Sequence, residues 1–209
     1  MNATEHLPCV FVIDDDAALC EVLSALLEDH GMRVQTFLSG VDFLSGCSPD
    51  LRGCVLLDMN LPEMSGLEVQ RELDDREIDL PVIFLTGHGD LDSSSQAFRC
   101  GAVDYLEKPV HADRLLERVT EALTKDAEKW HHRRRRAHLS ERFARLTARE
   151  QEVLKLVVSG YSTKQIAQAL AISNRTVDVY RAHIMEKTHS KSVADLVGMC
   201  VELDMDNSN

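Results

Sequence analysis

Residues 10–19 read VFVIDDDAAL. Four apolar residues run straight into three adjacent carboxylates. Like charges this close repel one another, and a fold that buries VFVI must bring them to a common edge. Either they punctuate a solvated loop, or something positive sits among them. Beyond them a helical pattern begins, with Leu19, Val22, Leu23, Leu26 and Leu27 at i, i+3, i+4, i+7 and i+8. It stops at His30-Gly31, glycine being the residue that best leaves a helix.

The same alternation then repeats. RVQTF (33–37), CVLL (54–57), VIFL (82–85) and VDYL (103–106) read as four more short strands. Helical stretches lie between them at 41–44, 67–73 and about 93–100, and another begins near Ala112. Strands separated by helices predict an α/β fold, a doubly wound five-stranded parallel sheet of flavodoxin-like type with helices on both faces. In such sheets ligands bind at the carboxyl ends of the strands, where the strand order switches.

The 209 residues are 44% hydrophobic and 28% charged, as expected of a soluble globular protein of one or two domains. No apolar run approaches bilayer-spanning length, and the N-terminal MNATEHLPC lacks the basic and apolar regions of a secretory signal. Six scattered cysteines without a C-x-x-C pair read as buried thiols in a reducing cytoplasm. Charge divides the chain. Residues 1–123 carry 24 acids against 8 Lys/Arg, and residues 124–209 carry 15 Lys/Arg against 11 acids. An acidic front and a basic back imply two tasks, with nucleic acid a candidate partner for the second. The expected division is 1–123, a charged helical linker over 124–145, and an all-α four-helix unit over 146–209.

Placing polar residues at strand ends builds a site. Asp14, Asp15 and Asp16 follow the first strand, Asp58 the third, Thr86 the fourth and Lys108 the fifth. Parallel strands bring these ends to one edge. Clustered carboxylates call for a hard cation with oxygen ligands, such as magnesium. A cation, a hydroxyl and an ammonium together cradle phosphoryl oxygens, and one carboxylate can then accept the phosphoryl group as an acyl phosphate. Asp58, on the central strand and followed by MNLPEMSG (59–66), is the choice. Asp16 reads as the cap of the helix that starts near Ala17.

With these residues placed, VIDDD (12–16), LLDMNLPEMSG (56–66), FLTGHGD (84–90) and GAVDYLEKP (101–109) resemble the receiver domain of two-component response regulators. The resemblance implies that Asp14, Asp15, Asp58 and the Asn60 carbonyl hold Mg²⁺, with Mn²⁺ as the alternative. It implies that Asp58 is phosphorylated by a sensor histidine kinase, with Thr86 and Lys108 on the phosphoryl group and a cis peptide before Pro109. Thr86 and Tyr105 would form the switch, and Asn60 and His88 would tune the dephosphorylation rate. Such a chain is not an enzyme beyond self-catalysed transfer and dephosphorylation. A haloacid-dehalogenase-type phosphatase uses similar groups, but it needs D-x-D-x-T/V after the first strand, and Asp14-x-Asp16 is followed here by Ala17-Ala18.

After Leu146 the pattern is helical throughout. Thr147 and Glu150 have capping-box spacing, Ser162 and Ser173 begin further helices, and a last helix starts near Ser192. A short helix followed by a longer one suggests helix-turn-helix geometry. The stretch LTAREQEVLKLVVSGYSTKQIAQALAISNRTVDVYRAHIMEKTHSKSVADLV (146–197) closely resembles the LuxR/NarL/FixJ-type DNA-binding domain. TGHGD and AVDYLEKP lean toward the FixJ subfamily. Val177, Ile184 and Tyr180 share an inward stripe. Asp178, Val179, Arg181, Ala182 and Met185 are candidates for the DNA groove, and Lys164, Asn174, Arg175, Thr176 and His183 for phosphates. Asp178 either reads a base or caps the helix and rejects phosphate. RRRR (133–136) either touches DNA, solvates a helix or pairs with an acidic face. Together the resemblances imply a cytoplasmic transcriptional regulator that binds promoter DNA and forms a homodimer on phosphorylation, with no membrane association. The alternative is a phosphorylation-dependent protein-interaction module without DNA binding.

Overall fold

The computed structural model describes residues 7–87 and 104–204, and the chain divides into two compact units after Trp130. The expected helix over about 93–100 and His88 lie outside the described residues.

In the first unit, β1 (Cys9–Ile13), β2 (Val34–Phe37), β3 (Gly53–Asp58), β4 (Val82–Thr86) and β5 (Asp104–Glu107) form one parallel sheet in the order β2-β1-β3-β4-β5. The order reverses direction between β1 and β3, so the crevice that such a sheet offers a ligand lies where Asp14 and Asp58 stand. Of the expected fifth strand, the described residues 104–106 are all in β5, which continues to Glu107.

Alternate strand residues feed two cores, as a period of two requires. Phe11, Ile13, Val55, Leu57, Val82 and Phe84 meet Phe43, Val69 and Leu73 of α2 (Gly40–Ser45) and α3 (Gly66–Asp75). Val10, Val12, Cys54, Leu56, Ile83, Leu85 and Leu106 meet Leu23 and Leu27 of α1 (Ala17–Asp29), and Leu115 and Val119 of α4 (Ala112–Phe143). β3 is buried along its whole length, as the central strand of a sheet covered on both faces should be. The helix α4 runs unbroken from Ala112 to Phe143, so the charged stretch 124–143 is one helix with the segment before it.

The second unit packs α5 (Ala148–Val158), α6 (Thr163–Leu170), α7 (Asn174–Thr188) and α8 (Val193–Asp204) around Val153, Leu154, Ile166, Val177, Ile184 and Leu196. Capping fixes where these helices begin. Thr147 with Glu150, and Ser162 with Gln165, form reciprocal capping boxes, and the Ser173 hydroxyl accepts from the Thr176 N–H. Arg135 pairs with Glu202 at 2.8 Å, and Arg136 donates to the Leu203 carbonyl. These two arginines of the RRRR run therefore find partners in the last helix.

Candidate functional site: an acidic strand edge and a helix-turn-helix

Asp14 is fully buried directly after β1, Asp58 is buried at the end of β3, and Asp15 is exposed beside them. One carboxylate oxygen from each lies within 4.8 Å of the other two. The Lys108 ammonium enters this group from the loop after β5, 2.7 Å from Asp14 Oδ2 and 2.8 Å from Asp58 Oδ1. Its backbone is set by its own N–H, which donates to the Thr86 carbonyl at 2.7 Å, and by the cis peptide to Pro109. Thr86 is buried at the end of β4. The other Asp58 oxygen, Oδ2, accepts from the Asn60 N–H at 3.2 Å. The strand ends therefore bring together Asp14, Asp15, Asp58, Asn60, Thr86 and Lys108. Tyr105 is half-buried on β5 against the core beneath α2 and α3.

The charges do not balance. Burial pushes the Asp14 carboxyl above its ordinary pKa, and the Lys108 hydrogen bond, the Asp16 N–H and the Lys108 charge do not fully offset it, while the Asp58 charge pushes the same way. Burial pulls Lys108 down, but hydrogen bonds to Asp14 and Asp58, then their charges, outweigh it and hold the ammonium above its usual value. Two of the three carboxylates, Asp14 and Asp58, share the one ammonium, and Asp15 adds a further negative charge beside them. An all-oxygen donor set with surplus negative charge fits a hard divalent cation. Asp16 stands apart from the set. It caps α1, accepting from the Ala18 and Leu19 N–H groups at 3.0 and 3.2 Å.

In the second unit α6 and α7 are joined by the three residues Ala171, Ile172 and Ser173, with Ala171 in the left-handed conformation at φ +54°. That is the length of a helix-turn-helix connection. Val177 and Ile184 of α7 are buried, and Tyr180 packs half-buried beside them. Asp178, Val179 and Ala182 are exposed, and Arg181 and Met185 half-buried. Asn174, Arg175, Lys164 and His183 are also exposed.

Comparison with known proteins agrees with both halves. The family model "Response regulator receiver domain" matches residues 10–120, and "Bacterial regulatory proteins, luxR family" matches 144–200. The chain is 40% identical to Nodulation protein W of Bradyrhizobium diazoefficiens, over 91% of this chain and 84% of that one. It is 41% identical to the transcriptional regulatory protein FixJ of Azorhizobium caulinodans, over 94% and 93%. Among solved structures, the response regulator StyR superposes with a TM-score of 0.86 at 39% identity, over 92% of this chain and 98% of that one. This chain belongs to the transcriptional response regulators. It joins a receiver domain to a LuxR-type DNA-binding domain.

Several residues of this response regulator have roles that local sequence did not disclose. Glu150, buried, holds the Thr147 N–H at 2.8 Å within the capping box and also receives Lys187 of α7 at 2.9 and 2.6 Å. His183 Nδ1 stands 3.8 Å from the same carboxylate. The Lys187 hydrogen bond holds Glu150 below its ordinary pKa, against the opposing effect of burial and with help from Thr147. One carboxylate thereby ties the start of α5 to α7. Arg149 donates to the Leu170 carbonyl at the end of α6, at 2.8 Å. Asp178 accepts from the Thr163 hydroxyl at 3.5 Å, bridging α6 and α7, and the Thr176 hydroxyl is shared with Ser173 at 2.8 Å. For Glu150 the local signal was its capping-box spacing from Thr147. The partners of Glu150 and Arg149 lie 37 and 21 residues away.

Proposed function

We propose that the regulator accepts a phosphoryl group on Asp58 and that this acyl phosphate controls the DNA affinity of the helical unit. The observation that carries the reading is Lys108, its ammonium held between Asp14 and Asp58. Asp58 is oriented by the Asn60 N–H and stands where strand order reverses. Asp14, Asp15, Asp58 and the Asn60 carbonyl would hold Mg²⁺. Bound there, the ion would neutralise carboxylates and draw in phosphoryl oxygens.

In the transfer an Asp58 carboxylate oxygen attacks phosphorus of a phosphohistidine on a sensor kinase. The new P–O bond forms as the P–N bond breaks, and the histidine nitrogen leaves with the electron pair. Lys108 remains protonated and turns toward the added charge, and the Thr86 hydroxyl donates to a phosphoryl oxygen. Asn60 and His88 tune hydrolysis of the acyl phosphate. Thr86 and Tyr105 relay the change to the face formed by β5 and the start of α4, where two copies pair. Two-fold dimers suit paired half-sites in promoter DNA. Val179, Arg181, Ala182 and Asp178 face bases, while Lys164, Asn174, Arg175, Thr176 and His183 hold phosphates. No helix among the described residues is long and apolar enough to cross a membrane, which accords with a cytoplasmic protein.

The test is acetyl phosphate with Mg²⁺, read by intact mass. Wild type gains one phosphoryl group, chelation of the divalent cation prevents the gain, and Asp58→Asn shows none. A gain retained in Asp58→Asn would place the acceptor elsewhere. The protein-interaction alternative predicts that a gel shift with genomic fragments finds no DNA-bound species in either phosphorylation state.

A further inference from the structure

The edge of the sheet opposite the acidic site carries a buried charge that the mechanism above does not use. Arg52 immediately precedes β3, the strand that ends at Asp58. Its Nε and Nη2 both lie 2.8 Å from Asp126 Oδ2 on α4. Its guanidinium stacks over the Trp130 ring with 4.4 Å to the centroid. Arg52 is 7% exposed and Asp126 is 0% exposed, and Asp126 Oδ1 has no hydrogen-bond partner among the described residues. One helical turn separates Asp126 from Trp130, so both present to the same guanidinium. Lys129 adds an ion pair to Asp79 at 2.5 Å.

The Arg52 end is itself rigid. The Arg52 carbonyl accepts from the Cys9 N–H at 3.0 Å. Gly53, at φ +131°, brings the chain so near β1 that an added Cβ would lie 1.7 Å from the Cys9 carbonyl oxygen. A buried ion pair adds little net stability, because desolvation offsets attraction, but it fixes register. Sliding α4 by one turn, about 5.4 Å, would break the ion pair and unstack the ring together. Residues 124–130 therefore move with the receiver instead of beginning a loose linker.

We propose that Arg52, Asp126 and Trp130 form a positioning latch through which the state of Asp58 reaches the long helix. This rests on the reading that phosphorylation of Asp58 governs DNA affinity. β3 joins the two sites directly, with Asp58 at one end and Arg52 at the other. Trp130 is the only tryptophan of the chain, so intrinsic emission reports the latch.

The test compares full-length wild type, Asp58→Asn and the double variant Arg52→Met/Asp126→Leu, which replaces the ion pair with apolar groups of similar size. Acetyl phosphate with Mg²⁺ is the phosphodonor, and the probe is a duplex recovered from genomic fragments by the phosphorylated wild type. Phosphorylation is expected to shift Trp130 emission in wild type and not in Asp58→Asn. The double variant should keep the wild-type acyl-phosphate yield and unfolding midpoint. Its ratio of phosphorylated to unphosphorylated DNA affinity should fall toward one, a loss of about fivefold or more. An unchanged ratio, or unchanged Trp130 emission on full phosphorylation, overturns the latch while leaving the Asp58 reading standing. A wild-type chain that is phosphorylated but binds DNA equally in both states overturns the Asp58 reading, and the latch falls with it.

Discussion

Asp14, Asp15 and Asp16 are adjacent and do three different things. Asp14 is buried against Lys108, Asp15 is exposed at the rim of the same cluster, and Asp16 caps a helix. Their separation was legible in sequence because a strand ends at Ile13 and a helix starts at Ala17, which leaves each acid one geometric option. The exact contacts of Lys108 were not legible, since its partners lie 94 and 50 residues away. Gly66 lies close behind the proposed acceptor. An added Cβ there would lie 2.4 Å from the Asp58 carbonyl oxygen and 3.1 Å from the Phe84 ring. Gly66→Ala should therefore displace the loop behind the acceptor. We expect about tenfold slower acyl-phosphate formation, equivalent to about 1.4 kcal/mol in the barrier, with far-UV circular dichroism unchanged. Wild-type transfer kinetics in that variant would mean that the loop yields without moving Asp58.

The helices of the second unit were readable from caps and apolar spacing, because Thr147, Ser162 and Ser173 each stand directly before a periodic run. How α7 is held was not readable, since the Glu150–Lys187 bridge and the Asp178–Thr163 contact have no local signature. Asp178 shows the difference. Its charge suggested either base reading or rejection, and the structure adds a tie between the two helices of the motif. Glu150 gives a pH prediction. Its folded pKa is lowered, so its stabilisation is present above the unfolded value, about 4.3, and is lost as pH falls through the lower folded value. Glu150→Gln keeps a capping-box residue and removes the ion pair. Its helical unit should be less stable at pH 7 by about 1–3 kcal/mol, and the gap to wild type should close on acidification below about pH 4. Hydrogen exchange over 148–188 measures it. A gap independent of pH would assign the loss to packing. Ser173→Ala removes the N-cap of α7 and should cost about 1 kcal/mol in the same measurement. Unchanged protection over α7 would show that Thr176 alone closes that end.

The chain keeps its opposite charges in separate places, with net −16 over residues 1–123 and +4 over 124–209. The acidic part is expected to exclude nucleic acid and the basic part to attract it. Lys164 and Arg175, both exposed, are the proposed phosphate contacts. Replacing either by alanine should weaken binding to all duplexes alike and reduce the salt slope of log affinity by about 1. An unaltered slope would remove that residue from the phosphate set. The two-task organisation was legible from charge and motif spacing. The unbroken helix Ala112–Phe143 and its attachment through Arg52 were not, because the attachment spans 74 residues and its acid lies within a stretch whose composition resembles a linker. Control of DNA binding through Asp58 would join the two tasks, and one titration tests that control. DNA affinity is measured at fixed salt for wild type and Asp58→Asn, each with and without acetyl phosphate and Mg²⁺. Such control requires that the phosphodonor change wild-type affinity at least about fivefold and leave Asp58→Asn unchanged. Equal responses in the two proteins would contradict it.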